Sequence, residues 1–159
     1  MVKRLHQVAT AMFLEECGSY NMTPSQYQAM CALQEHPGIG QGALGKLTGQ
    51  DRSTVSLVVQ LLLDRGLIRR VVNSSDKRAA SLRLSESGVQ MLREAAPAAR
   101  LAQDRFLSAL PEGKRAEFLA LLHRLLEAHG ARIDPASIVT VKSAGKAAPS
   151  KRLKARPRR

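Results

Sequence analysis

Apolar residues recur at helical spacing along most of this 159-residue chain and give way to strand-like runs in one short region. Leu5, Val8, Ala9, Met12 and Phe13 form one stripe, so residues 3–17 read as an amphipathic helix that Gly18 ends. Thr23 caps a second helix with Pro24 in its first position, running to about Glu35 with Tyr27, Met30, Cys31 and Leu33 largely inward. His36-Pro37-Gly38 reads as a loop. A short helix then spans Gln41 to Thr48, with Leu44 and Leu47 inward and Gly45 allowing close approach of the next element. Gly49 turns the chain. Asp51 is a good N-cap for a helix from Arg52 to Arg65, whose Val55, Val58, Val59 and Leu62 fall at i, i+3, i+4 and i+7.

Strand-like runs follow at Leu67 to Val72 and Ala80 to Leu84, predicting a hairpin. Its connection, Asn73-Ser74-Ser75-Asp76-Lys77-Arg78, is too polar and too long for a tight turn. Ser85 caps a long helix towards Leu110, with a kink or break expected near Ala96 because Pro97 lies inside the pattern. Pro111-Glu112 opens a last helix to about His129, apolar at Phe118, Leu119, Leu121, Leu122, Leu125 and Leu126. That stripe is wide for a lone helix and suits burial in an intersubunit bundle with residues 3–17.

Helix, glycine turn, helix with a small polar N-terminus, then hairpin is the order of a winged helix-turn-helix. The fold expected is mainly α with a small β-hairpin wing, set on a helical dimerisation base. Such a unit binds duplex DNA. A helix entering the major groove needs short hydrogen-bonding side chains in its first turns, because its backbone must come close to the base edges. Ser53, Thr54 and Ser56 meet that need, and Gln60 lies one turn on, beside Leu57. A solvated, capped helix start is the blander reading of the same residues. Arg78 at the wing tip suits a narrow A/T-rich minor groove, where negative potential is focused. Arg69, Arg70 and Arg83 read either as phosphate contacts or as surface charge.

The string Gln50-Asp51-Arg52-Ser53-Thr54-Val55-Ser56, with Asp64-Arg65-Gly66-Leu67-Ile68 and Asp76-Lys77-Arg78-Ala79, resembles the MarR family of bacterial transcription regulators. Thr23-Pro24-Ser25-Gln26-Tyr27 and Leu82-Arg83-Leu84-Ser85-Glu86-Ser87-Gly88 look like the flanking signatures of that family. The resemblance implies an obligate homodimer on a pseudo-palindromic operator, and a small-molecule or oxidant signal. It gives Asp76 the role of orienting the wing through an ion pair and Lys77 that of facing phosphates. An Arg follows the Thr-Val-Ser triplet in many relatives, whereas here Leu57 does, and Leu61 replaces a frequent basic residue. Readout would then lean on methyl contacts, Arg52 and DNA shape.

The resemblance also implies an effector pocket where the dimer base meets the winged domain. Candidate lining is His6, Phe13, Tyr27, Met30 and Arg93, fitting an aromatic carboxylate, a phenol or its CoA thioester. Cys17 would be the thiol for oxidant sensing, but it lies at the end of the first helix instead of near its start. The first helix begins almost at Met1, with less lead-in than the family usually has, so either the base is short or the true start lies upstream.

Charge refines this picture. The formal net charge is +12, yet eight of the 25 basic residues crowd into residues 142–159, where no acidic residue occurs, leaving a body near +4. The tail is a polycation expected to be disordered and to add salt-sensitive DNA affinity. No long apolar run or secretory signal is evident, so a cytoplasmic location without membrane association is expected. Cys17 and Cys31 have no metal-like spacing, and His6, His36, His123 and His129 adjoin no nucleophile signature, so neither metal, cofactor nor catalytic site is expected. Gly40-Gln41-Gly42-Ala43-Leu44-Gly45-Lys46 starts like a P-loop, but Leu47 stands where a Ser or Thr must reach magnesium.

The expected organisation is a helical dimerisation region at 1–22 and 86–133, a winged helix-turn-helix at 23–85 and a basic tail at 134–159. The expected function is that of a homodimeric, sequence-specific repressor released from its operator by a small aromatic ligand. The alternatives are a low-specificity architectural DNA-binding protein and a cysteine-based redox regulator.

Overall fold

The computed structural model describes residues 1–73 and 76–128, with only the backbone course for residues 72, 73 and 76–80. The basic tail at 134–159 therefore lies outside the described residues, as do the side chains of Asp76, Lys77 and Arg78. The described elements run α1 (Val2–Cys17), a 3-10 turn (Gly18–Tyr20), α2 (Pro24–Glu35), β1 (Ile39–Gly40), α3 (Gln41–Thr48) and α4 (Arg52–Asp64). After these come β2 (Ile68–Asn73), β3 (Asp76–Leu84), α5 (Glu86–Leu107) and α6 (Glu112–Ala128).

Local chemistry sets most helix ends. At α2 the Thr23 hydroxyl accepts from the Gln26 amide (3.3 Å) while Gln26 Oε1 accepts from the Thr23 amide (3.0 Å), a reciprocal cap that explains why Gln26 is buried. The Thr48 hydroxyl, also buried, donates to the Leu44 carbonyl at 2.9 Å. Gly49 then adopts a left-handed conformation (φ 66°), the geometry that turns α3 into α4. A Cβ on Gly45 would lie 3.3 Å from the Gln50 carbonyl and 3.4 Å from Val55 Cγ2, so the two helices meet at close range.

Three sequence expectations are corrected. The sheet has three strands in the order β1-β3-β2, because Ile39 and Gly40 pair with Leu82 and Ser81 in the stretch between a loop and a helix. Strand β3 starts at Asp76, not Ala80, and β2 runs from Ile68 to Asn73, so the connection is shorter than its polarity suggests. The register steps from Val72–Ala80 to Asn73–Asp76, leaving residues 77–79 as a bulge. Ladder hydrogen bonds use main-chain groups, so polar side chains do not prevent pairing. Finally, of the kink or break expected near Ala96 the break does not occur, since α5 continues as one helix through Pro97, and it ends at Leu107 instead of Leu110. Pro97 is exposed, which leaves the Arg93 carbonyl, deprived of its helical donor, on the solvent side.

One buried cluster joins the parts. Met30, Leu33, Leu44, Val59, Leu62 and Leu82 meet Cys17 from α1 and Leu92, Ala95 and Ala99 from α5. The small residues Ala95, Ala99 and Ala102 let α1 lie along α5. Arg105 on α5 clamps α1 by pairing with Glu16 and, at 3.0 Å, with Glu15. Helix α6 differs, since none of its side chains is buried by the described chain. Leu121 is 52% exposed and Leu125 59%, and Leu5, Val8 and Leu14 of α1 are also exposed.

Candidate nucleic-acid interface

Helix α4 has two faces with different chemistry. Val55, Val58, Val59 and Leu62 are buried, while Arg52, Ser53, Ser56, Leu57 and Gln60 are exposed. Asp51 organises the entry to that exposed face. Its carboxylate accepts from the Ser53 hydroxyl (2.5 Å), the Thr54 amide (2.8 Å) and the Thr54 hydroxyl (2.8 Å). Those donors, Ser53 first, hold the Asp51 carboxyl well below the usual carboxylate range.

This cap changes what the polar residues can offer a base edge. With their protons directed at Asp51, the Ser53 and Thr54 hydroxyls present acceptor lone pairs, which match the N–H donors of cytosine or adenine in the major groove. Ser56, with no hydrogen bond among the described residues, keeps both donor and acceptor capacity. Gln60 gives one amide proton to Asp64 (2.7 Å) and retains the other together with Oε1, the pair that fits adenine. Leu57, 62% exposed, is the most open apolar side chain of this face and suits a thymine methyl.

The strands beside α4 carry exposed Arg69, Arg70 and Arg83. Arg69 and Arg83 are direct antiparallel partners. Like charges directly opposite destabilise a sheet, and a phosphate placed over them removes that penalty. No carboxylate pairs with either among the described residues. At the wing tip, Asp76, Lys77 and Arg78 belong to β3, with side chains outside the described residues.

Behind the exposed face, the Gln50 side chain has both Nε2 and Oε1 buried without a hydrogen-bond partner among the described residues. Sequence reading used Gln50 only as part of a motif string. No local pattern signals that its amide is enclosed.

Of the five effector candidates, Arg93 alone lines the two open grooves along α5. Phe13 and Tyr27 are in ring contact, with centroids 5.5 Å apart, and Met30 is fully buried in the core. His6 and Arg93 are exposed on α1 and α5. Arg93 lines two open grooves. One, of about 710 Å³, lies between the wing base and α5 and includes Arg69, Leu84, Val89 and Gln90. The other, of about 570 Å³, follows α5 past Pro97, Arg100, Leu101 and Asp104. Arg100, not singled out from sequence, also acts electrostatically on Tyr27, whose hydroxyl is pushed up mainly by burial and next by neighbouring Cys31. Its spacing from Arg93, i and i+7 on α5, is the signal that would have found it.

Burial also pushes the Cys31 thiol up to about 11, and that of Cys17 upward with help from Glu16. Such thiols hold almost no thiolate at neutral pH and are poor oxidant targets. Among the described residues no cluster of His, Cys, Asp or Glu is built to hold a metal ion, and no helix is long and apolar enough to cross a membrane.

Comparison with known proteins places this geometry. The model of the MarR family matches residues 20–79, a span that includes both helices of the turn and most of the hairpin. The transcriptional repressor NicR of Pseudomonas putida is 28% identical over 127 residues, which cover 80% of each chain. The solved PcaV transcriptional regulator of Streptomyces coelicolor is 30% identical with a TM-score of 0.68, over 81% of this chain and 94% of that one. The transcriptional repressor CouR, solved on a 23-mer DNA duplex, is 26% identical with a TM-score of 0.73, over 78% of this chain and 88% of that one. The family match, the NicR and PcaV relationships and the exposed polar helix beside a three-stranded wing agree: this chain belongs to the MarR family of winged helix-turn-helix transcription regulators.

Proposed function

We propose that the protein is a homodimeric repressor that reads a pseudo-palindromic operator and releases it on binding a small aromatic acid, phenol or CoA thioester. The observation that carries this reading is the exposed N-terminal half of α4, held by the Asp51 cap beside the arginine-bearing strands. CouR bound to a DNA duplex supports a DNA-reading role for the same fold. The unburied apolar stripe of α6 supports a second copy as its cover. Two such heads address half-sites about one helical turn apart, roughly 10 bp centre to centre.

In this reading Arg52, Ser53, Thr54, Ser56 and Gln60 face the major groove, Arg78 enters the minor groove, Lys77 faces the flanking phosphates and Asp76 orients the wing. PcaV has been solved with its natural ligand, which supports a small-molecule site in this fold. The Arg93 grooves, with the cation Arg100 and apolar Pro97 and Leu101, are the place for an aromatic anion.

The test is binding to the intergenic region upstream of the protein's own gene against scrambled competitor, repeated with aromatic acids and their CoA thioesters. Competitor-resistant binding released by one compound is the expected result. Equal, weak binding to both DNAs would overturn the repressor reading in favour of an architectural protein. Within that assay Arg78→Ala is expected to cost about 1–3 kcal/mol of operator affinity, and unchanged affinity would remove the wing tip from the interface.

A further inference from the structure

Helix α4 packs on α2, α3 and β2, and its C-terminal end is tied to the helical base at two places. One is a close backbone contact. Gly88, in the first turn of α5, lies so near the Leu67 carbonyl that a Cβ there would stand 1.9 Å from the oxygen. The same carbonyl accepts from the Ser85 amide (3.0 Å), and the Ser85 and Ser87 hydroxyls both reach the Gly66 carbonyl (2.6 and 2.9 Å). These bonds converge on the residues that directly follow α4 and fix that end of the helix to the start of α5.

The second tie is a chain of side-chain hydrogen bonds. Arg65, the C-cap of α4, donates from Nη1 to the Asn21 carbonyl (2.6 Å) and from Nη2 to the Tyr20 carbonyl (3.0 Å). The Tyr20 hydroxyl donates to the Glu94 carbonyl on α5 (2.9 Å). Asn21 takes the left-handed conformation (φ 48°) that ends the 3-10 turn. The planar guanidinium fork fixes direction as well as distance.

The shared core and the bonds at Gly66 and Leu67 hold the two regions together, and a directional polar tie away from them fixes the angle between them. We infer that Arg65 and Tyr20 are positioning residues for DNA recognition, which set the tilt of α4 on the base and thereby the half-site spacing that the protein accepts. This rests on the dimeric operator-binding reading. The Tyr20 ring packs against the core and Arg65 is half-buried, so the test variants keep the ring and the charge and change only the hydrogen bonds.

The experiment compares wild type with Tyr20→Phe, which loses only the hydroxyl, and Arg65→Lys, which keeps the charge but loses the fork. Palindromic sites are selected in vitro on wild type, and their half-sites are then moved by one or two base pairs. Wild type is expected to lose about tenfold or more in affinity on such a shift, and each variant less than about threefold, with unchanged binding to an isolated half-site. Spacing profiles identical to wild type in folded variants would overturn the inference.

A second arm needs no DNA. Spin labels at Leu57→Cys and Asp104→Cys, in a chain with Cys17 and Cys31 replaced by alanine and diluted with unlabelled protein, report the distance from α4 to α5. A narrow distribution that widens in Tyr20→Phe is expected, and an unchanged width would count against the strut. If wild type binds no selected DNA while Tyr20→Phe still widens the distribution, the operator reading fails and the strut stands.

Discussion

Residues 23–85 and helix α6 treat their apolar side chains in opposite ways. In the first region Met30, Leu33, Leu44, Leu62 and Leu82 are almost wholly enclosed by their own chain, together with residues of α1 and α5. In α6, Leu121 and Leu125 remain more than half exposed although the helix carries six large apolar positions. At about 25 cal/mol per Å² of apolar surface, the first region draws its stability from within, and α6 gains most of its own from whatever covers it. In the proposed function, reading DNA and assembling would therefore use separate surfaces. The buried residues of α5 join the first region to α1.

The sharpest way to break this comparison is at the joint. Gly88→Ala drives a methyl into the Leu67 carbonyl and is expected to destabilise the fold by about 3 kcal/mol or more, seen as a lower urea midpoint. A neutral effect would mean that α5 is not seated as described. Changing Leu121 and Leu125 together to serine should do the reverse. The unfolding of the DNA-reading region should hardly move, while self-association measured by sedimentation weakens by about tenfold or more, roughly 1.4 kcal/mol. Unaltered association would show that α6 is not a contact between copies.

Within the DNA-reading region, Gln50→Met keeps the side-chain volume and removes a buried amide without partners, so it should raise stability by about 1–2 kcal/mol. A loss of stability would reveal a hydrogen bond made by Gln50. The smallest effect concerns pH. Because the folded state depresses the Asp51 carboxyl, its contribution is complete above the unfolded value near ~4 and is lost as pH falls through the lower folded value. Asp51→Ala should therefore melt slightly lower at neutral pH and show a shallower acid dependence below about pH 4. Parallel acid curves for variant and wild type would remove the cap as the cause.

Much of the fold is legible from neighbouring residues. Thr23, Asp51 and Ser85 announce helix starts because a side-chain oxygen meets an amide three residues on, and all three bonds are present. The periodicity of α4 likewise separates its buried from its exposed positions. What misleads is local polarity used as a proxy for loops, as at Asp76 to Ala80, where the backbone ladder overrides it. Ile39-Gly40 is too short to show alternation. It becomes a strand because β3 lies beside it.

The DNA-reading candidates were legible as residues but not in their hydrogen-bonding state. Only the geometry of the Asp51 cap turns Ser53 and Thr54 into acceptors. Of the effector candidates, only Arg93 lines either of the two grooves along α5, and its partner there, Arg100, follows from the fold.

By itself, then, the sequence determined the order of the helices and the hairpin, the helix N-caps, the buried face of α4, the family and the concentration of charge at the C-terminus. All of these depend on residues within a few positions of one another, or on composition. The tertiary structure decided that Gln50 is enclosed, that Gly88 seats α5 on Leu67, that Arg69 faces Arg83, and that Arg65 reaches Tyr20 and through it Glu94. Contacts between residues distant in sequence depend on how whole elements pack, and no local pattern encodes that.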